Sequence, residues 1–193
     1  MKISDIIVSK EILDFVLGNI GLSYNVDKCK MATIVSLANK SKRSEAKFMR
    51  MIPVHFKITA PLAWFVEFDT MKIGVTRWSN SVMHSVLKNG VSRDDFEVNN
   101  WSQEMTANHC ISEINMIKDN FEHCYIDKKL AKLMIKSSIT GNFLYTSIIS
   151  MNYEVLRNIY QDRINHELSW WQEFLQAFEG IPYYNEFIKG DGK

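Results

Sequence analysis

Residues 52 to 59, IPVHFKIT, alternate strictly: Val54, Phe56 and Ile58 are apolar, and His55, Lys57 and Thr59 between them are polar. A period of two puts these sets on opposite faces of a β-strand, so the segment is expected to bury one face and leave the other polar. Elsewhere the period is helical. KEILDFVLGNI, over residues 10 to 20, predicts a short amphipathic helix ended near Gly18 and Gly21, and MATIVSLANK (31 to 40) predicts another. Pro61 behind Thr59 suits a first helical turn, and PLAWFVEFDTMKI then brings Trp64, Phe65, Phe68 and Met71 into a buried helix before Gly74. VTRWSNSVMHSVLKNG (75 to 90) repeats this strand-into-helix pattern, with Val75, Trp78, Val82 and Val86 as its apolar positions and Gly90 as the stop. Ser92 with Asp95 three residues later signals a further helix start. Residues 101 to 136 read as largely helical, SSITGNF (137 to 143) as a loop and LYTSIIS (144 to 150) as a short strand. One long helix is expected from about 151 to 179, ended by Gly180 and Pro182. The sum is a helix-dominated α+β fold with few strands. No repeat, low-complexity tract or Gly/Pro-rich linker divides it, so residues 1–193 are expected to form a single domain.

Two polar residues interrupt the apolar pattern of that last helix. In SMNYEVLRNIYQDR (150 to 163), Asn152 and Arg163 stand eleven positions apart. At about 100° per residue, eleven steps are three turns plus roughly 20°. Both therefore share a face with Leu156, Ile159 and Tyr160. Each must find a partner on that stripe. Asn152 has the chemistry of a helix-start residue. Arg163 has Glu167 four residues on, or an anion such as a phosphate, or a nucleobase.

Charge removes one class of partner. With 23 basic and 22 acidic side chains the net charge is +1, which provides no field to gather a nucleic acid polymer. No apolar run approaches the ~20 residues that cross a bilayer, and the start of the chain, MKISD, does not lead into a signal-peptide block, so no membrane partner is expected and the location is expected to be cytoplasmic. Three cysteines fit reduced thiols. The pairs His109-Cys110 and His123-Cys124 are fourteen residues apart, about 21 Å along a helix, too far for one ion, so no metal site is expected. GxxxxGK[ST], GxGxxG and GxSxG are all absent. In NKSKRSE (39 to 45) the basic residues read as a solvated turn or a phosphate-facing loop, and SWWQEFLQAF (169 to 178) reads as core packing.

The polar pair also belongs to a recognisable pattern. TSIISMNYEVLRNIYQDR resembles the C-terminal signature of flavin-dependent thymidylate synthases, an extended lead-in followed by a helix with an asparagine, a leucine and an arginine at the spacing of Asn152, Leu156 and Arg163. Upstream, KFMRMIPVHFKITAPLAWFVEFDTMKIGVTRWSNSVMH looks like the strand, helix and signature motif of the same family, so the resemblance spans roughly residues 40 to 180. That motif is Arg-His-Arg, then seven or eight residues, then Ser-x-Arg and Tyr or His. Here Thr70, Met71 and Lys72 fall on its first half and Ser81, Val82, Met83 and His84 on its second. The serine, the final position and one positive charge remain. In the family the first half helps hold FAD and the second binds the phosphate of dUMP. Methionine in place of the second-half arginine removes donors whose loss costs about 2–5 kcal/mol where the partner is buried. Arg77, or Lys42 and Arg43, are the cations available to replace it.

The resemblance implies a small antiparallel sheet within the helical fold, and a homotetramer whose nucleotide pockets are completed by neighbouring subunits. Asn152 is then expected on the flavin side of the pocket and Arg163 near the uracil nucleotide, with Lys72, Arg77, Ser81 and His84 as further ligand contacts. The eroded motif points to a divergent, phage-type member without catalytic residues or a cofactor. Such a protein would bind or sequester a nucleotide-derived small molecule, for instance a host immune signal. The alternative is an active enzyme that methylates dUMP with FAD as hydride carrier. A third reading has both polar residues satisfied inside the fold.

Overall fold

The computed structural model describes residues 1–40 and 44–190; Lys42 and Arg43, the candidate phosphate-facing pair, lie outside them. Four strands form one antiparallel sheet in the order β1-β2-β4-β3: β1 (Lys2–Ile7), β2 (Pro53–Pro61), β3 (Thr76–Ser79) and β4 (Leu144–Asn152). In β2 the predicted alternation is realised, with Val54, Phe56 and Ile58 at most 1% exposed and His55 and Lys57 exposed. The strand β1 had no counterpart in the sequence reading. Its burial does not alternate, and Asp5 takes a φ of 55°, so no period of two is written there.

Eight α-helices accompany the sheet among the described residues: α1 (Lys10–Gly18), α2 (Met31–Ala38), α3 (Leu62–Phe68), α4 (Val82–Asn89), α5 (Trp101–Glu122), α6 (Lys128–Ser138), α7 (Tyr153–Arg163) and α8 (Ser169–Ala177). The expected helix over 151–179 is two helices. After Arg163 the chain turns, and the turn is held by its own polar groups: Gln172 Nε2 donates to the His166 carbonyl at 2.8 Å and the Leu168 amide meets His166 Nδ1 at 3.2 Å. Apolar periodicity runs through this break, which is why the pattern concealed it. Thr59 is not a helix cap either. The strand continues through Pro61, and the Thr59 hydroxyl pairs with that of Thr146 at 2.8 Å. The capping box of Ser92 and Asp95 exists, but it closes only a 3-10 turn at Arg93–Asp95; α5 begins later, where Asn100 accepts from the Gln103 amide.

The chain groups into two compact units. The first comprises Met1–Ile58, Met71–Trp78 and Ile148–Lys193. Its core sets Phe56 edge-on to Phe174 and Phe178, at centroid distances of 5.9 and 4.9 Å. Buried polar groups there are tied to backbone. Tyr153 Oη donates to the Pro182 carbonyl at 2.7 Å, Tyr184 Oη to the Leu175 carbonyl at 3.0 Å, and Arg157 Nη1 to the Ala38 carbonyl at the end of α2. The second unit comprises Thr59–Thr70 and Ser79–Ser147, with a core where Val86, Ile114, Ile117 and Ile135 from α4, α5 and α6 meet. Asn115 clamps the loop after α4 through both Val91 backbone groups, each at 2.9 Å.

Burial holds the Tyr153 phenol well above its ordinary pKa of 10.0, with the neighbouring Tyr183 a smaller cause; burial does the same to Tyr184. The unfolded chain releases these protons near pH 10 and the folded chain retains them, so stability present below that pH is lost above it. Urea midpoints are expected to fall as the pH rises above about 10, and Tyr153→Phe should start lower, for want of its hydrogen bond, and fall less steeply.

Candidate functional site

The point where β4 becomes α7 organises the first unit's polar groups. Asn152 ends the strand and caps the helix, its Oδ1 accepting from the Val155 amide at 3.0 Å. Its Nδ2 makes no hydrogen bond with a described residue. Beside it runs the turn that carries Lys72, closed by the Val75 amide on the Lys72 carbonyl at 2.9 Å. Gly74 makes this approach possible. Its φ is +81°, and a Cβ there would stand 2.9 Å from Val155 Cγ2 and 4.0 Å from Asn152 Nδ2. The expected ligand residues Lys72 and Asn152 are thus brought into one neighbourhood, at the rim of the sheet.

From Asn152 an open sheet face extends across three strands. The Tyr153 amide donates to the Ile52 carbonyl at 3.1 Å, and the Ser79 and Ser147 hydroxyls pair at 2.8 Å. This register stands Ile148 between Lys57 on β2 and Trp78 on β3, and Ser150 between His55 and Thr76. Adjacent strands are about 4.8 Å apart, so Lys57 and Trp78 flank Ile148 across roughly 10 Å. Trp78, expected among the apolar positions of a buried pattern, is 76% exposed, and Ile148 is 50% exposed. The side chains of His55, Lys57 and Trp78 make no hydrogen bond, ion pair or ring contact with another described residue. No carboxylate occupies this face on β2, β4 or β3 in the first unit. An aromatic plate beside the Lys57 ammonium, with no carboxylate on these three strands in the first unit, suits a planar anion. Arg77 is the neighbour of Trp78 in β3 and therefore points to the other side of the sheet. Of these residues the sequence marked His55 and Lys57 as a polar face, but it gave no reason to single out Trp78.

Arg163 lies elsewhere. It is the last residue of α7, eleven steps or about 16 Å from Asn152, so no phosphate-sized group reaches both. Its guanidinium sits over the buried Trp171 ring, 5.0 Å from the centroid, and Nη1 makes a long contact of 3.4 Å to the Asp162 carbonyl. The ion pair with Glu167 does not form, because the helix has ended. Nε is buried without a hydrogen-bond partner, so the group keeps unmet donor capacity. The buried Arg157, which the sequence reading passed over, is a structural counterpart: it ties α7 to the end of α2.

Ser81 and His84 belong to the second unit, both exposed at the start of α4, where Ser81 makes no side-chain cap. Met83 between them packs against that unit's core, so the position the resemblance assigns to an arginine is filled by an apolar side chain facing inward. The residues set over Arg-His-Arg offer little to FAD. The Thr70 hydroxyl is spent on the Glu67 carbonyl at 2.7 Å, and Met71 has no donor, which leaves Lys72 alone. These positions do not fit the family's way of holding the cofactor.

Two substitutions test the architecture. Gly74→Ala is expected to lower stability by about 1–3 kcal/mol, from left-handed backbone plus the contact with Val155. Asn152→Ala should cost about 1 kcal/mol of capping, and Asn152→Asp little; urea denaturation of each variant measures both.

No protein-family model matches this sequence, and no curated protein matches it. The fold does have solved counterparts. It is similar to a crystal structure of the flavin-dependent thymidylate synthase ThyX from Helicobacter pylori complexed with FAD and dUMP, at a TM-score of 0.70 and 13% identity over 97% of both chains. A second structure of that enzyme with FAD and dUMP aligns with a TM-score of 0.65 and 14% identity over 95% of this chain and 96% of the other. At such identity the likeness speaks for the fold alone. The chain has a helix-rich α+β fold with a small antiparallel sheet, of the kind seen in flavin-dependent thymidylate synthase.

Proposed function

We propose that this chain is a catalytically inactive nucleotide-binding protein that captures a nucleotide-derived small molecule on the open sheet face of its first unit. The observation that carries the reading is the group of exposed, internally unpartnered side chains on that face: Trp78 beside Ile148, with Lys57 and His55 alongside. Stacking on Trp78 would hold a base, and Lys57 with a ring N–H of His55 would hold phosphate oxygens. Asn152 Nδ2 and Lys72 are candidate donors at the rim, whereas Arg77 on the other side of the sheet, Arg163 at the far end of α7, and Ser81 and His84 in the second unit are not assigned to this ligand. Solved structures of similar fold are complexed with FAD and dUMP, which favours a nucleotide over other planar anions. Stoichiometric capture requires affinity and no hydride donor. That agrees with the side chains at Thr70, Met71 and Met83, which lack the cationic donors a flavin and a dUMP phosphate would need. In this reading the protein is a phage-type homotetramer that completes its pockets between subunits and withholds a host signalling nucleotide.

The test is to purify the protein from cells, denature it, and analyse what is released by visible absorbance and mass spectrometry. A nucleotide without a flavin band is expected. A flavin band, together with turnover of dUMP in the presence of FAD, NADPH and methylenetetrahydrofolate, would replace this reading with the enzymatic one. Titration of the stripped protein with the released nucleotide, or with dUMP, locates the site. Trp78→Ala and Lys57→Ala are each expected to weaken binding about 5- to 100-fold with unchanged urea midpoints, since both side chains are exposed. Asn152→Asp keeps the cap and removes the Nδ2 donor, so an affinity change without a stability change would mark Asn152 as a contact.

A further inference from the structure

Away from the sheet face, the first unit contains a cleft of about 490 Å³ between α1, the 3-10 turn Ile20–Tyr24, α2 and the 3-10 turn Lys47–Met51. That volume lies within the ~300–1,000 Å³ of small-molecule sites. Val16, Leu37 and Phe48 are buried lining residues, while Phe15 and Leu22, 64% and 75% exposed, also line it. So much uncovered apolar surface in a concave site has the form of a binding cleft rather than a packing defect.

The polar groups at the cleft narrow the chemistry. Asn19 Nδ2 is engaged by the Phe15 carbonyl at 2.7 Å, and Glu45 is held by Lys40 at 2.5 Å. Lys47, exposed on the second 3-10 turn, makes no hydrogen bond or ion pair with a described residue. Among the described lining residues it is the only cation, and the only carboxylate is already neutralised.

We infer that this cleft binds an amphipathic monoanion, an unbranched aliphatic tail ending in a carboxylate of the medium-chain fatty-acid type, with the tail along Phe15, Val16 and Leu37 and the carboxylate on Lys47. The walls carry the Ser23, Tyr24 and Ser44 hydroxyls but are mostly apolar and suit an aliphatic tail, and one anionic head matches the one unpaired cation among the described lining residues. The site is separate from the nucleotide reading, and either stands without the other.

The experiment is calorimetric titration of the full chain with octanoate, decanoate and dodecanoate, with decanol as the uncharged control. Affinity is expected to rise about two- to fourfold per methylene, and decanoate is expected to bind more tightly than decanol. Lys47→Glu should weaken decanoate about tenfold or more and leave decanol unchanged. Phe15→Asp, at an exposed position that tolerates a polar side chain, should weaken both. No decanoate binding at millimolar concentration would overturn the inference. So would equal affinity for decanoate and decanol, or indifference to Lys47→Glu. Light scattering supplies a further check: if Phe15→Asp splits an oligomer while neither protein binds decanoate, the cleft is a face for a second copy of the chain and the inference fails.

Discussion

The register of β4 against β2 is the constraint on which the first unit and its candidate site depend. One hydrogen bond, from the Tyr153 amide to the Ile52 carbonyl, sits where β4 turns into α7 and holds the register at that end. A slip of one residue would turn Val54, Phe56 and Ile58 to solvent and drive His55 and Lys57 into a core built on Phe174 and Phe178. The same register puts Lys57, Ile148 and Trp78 in one row. Core packing and the arrangement of the open face thus have a single cause, and the core, being far more costly to disrupt, enforces the position of the face.

The helix α7 resolves the puzzle of its two polar ends differently at each end. Asn152 is there because the first amides of a helix need an acceptor, and its Oδ1 provides one to Val155. Only the other half of its amide is left for any further role. Arg163 ends the helix beside an aromatic ring that accepts its charge, with Nε still lacking a partner. Neither residue is explained by a shared ligand, since the helix between them is too long for one small group. What the eleven-residue spacing encoded was the length of a helix whose ends carry different duties.

This shows where the sequence could be read and where it could not. Alternation in β2 and apolar periodicity in α1 and α2 were legible because the burial that produces each pattern repeats along the element. β1 carried no such pattern, and the break between α7 and α8 left the helical period intact while polar groups such as Gln172 and His166 closed the turn. Trp78 was misread for a related reason. Composition marks a tryptophan as core, and only strand pairing reveals that position 78 alternates outward on an edge strand. Candidate sites are harder still, because Lys57, His55, Asn152 and Trp78 come from three strands and share no sequence spacing. The resemblance to flavin-dependent thymidylate synthases implied the fold that the structure has; of the residues set over that family's motif, the Thr70 hydroxyl is engaged and Met71, Val82 and Met83 are apolar, while Lys72, Ser81 and His84 are exposed.

That contrast bears on function through charge and availability. The Thr70 hydroxyl is spent on the Glu67 carbonyl and Met83 packs against a core, so neither offers a donor to a ligand. On the open sheet face the side chains are already solvated and unengaged, so a ligand there displaces water and breaks no internal pair. An exposed cation gives up comparatively little hydration to a phosphate, and an exposed indole gains contact by being covered. In the proposed function, this asymmetry supports capture at Trp78 and Lys57. The register that fixes the face is maintained by the core, whichever side chains the face carries.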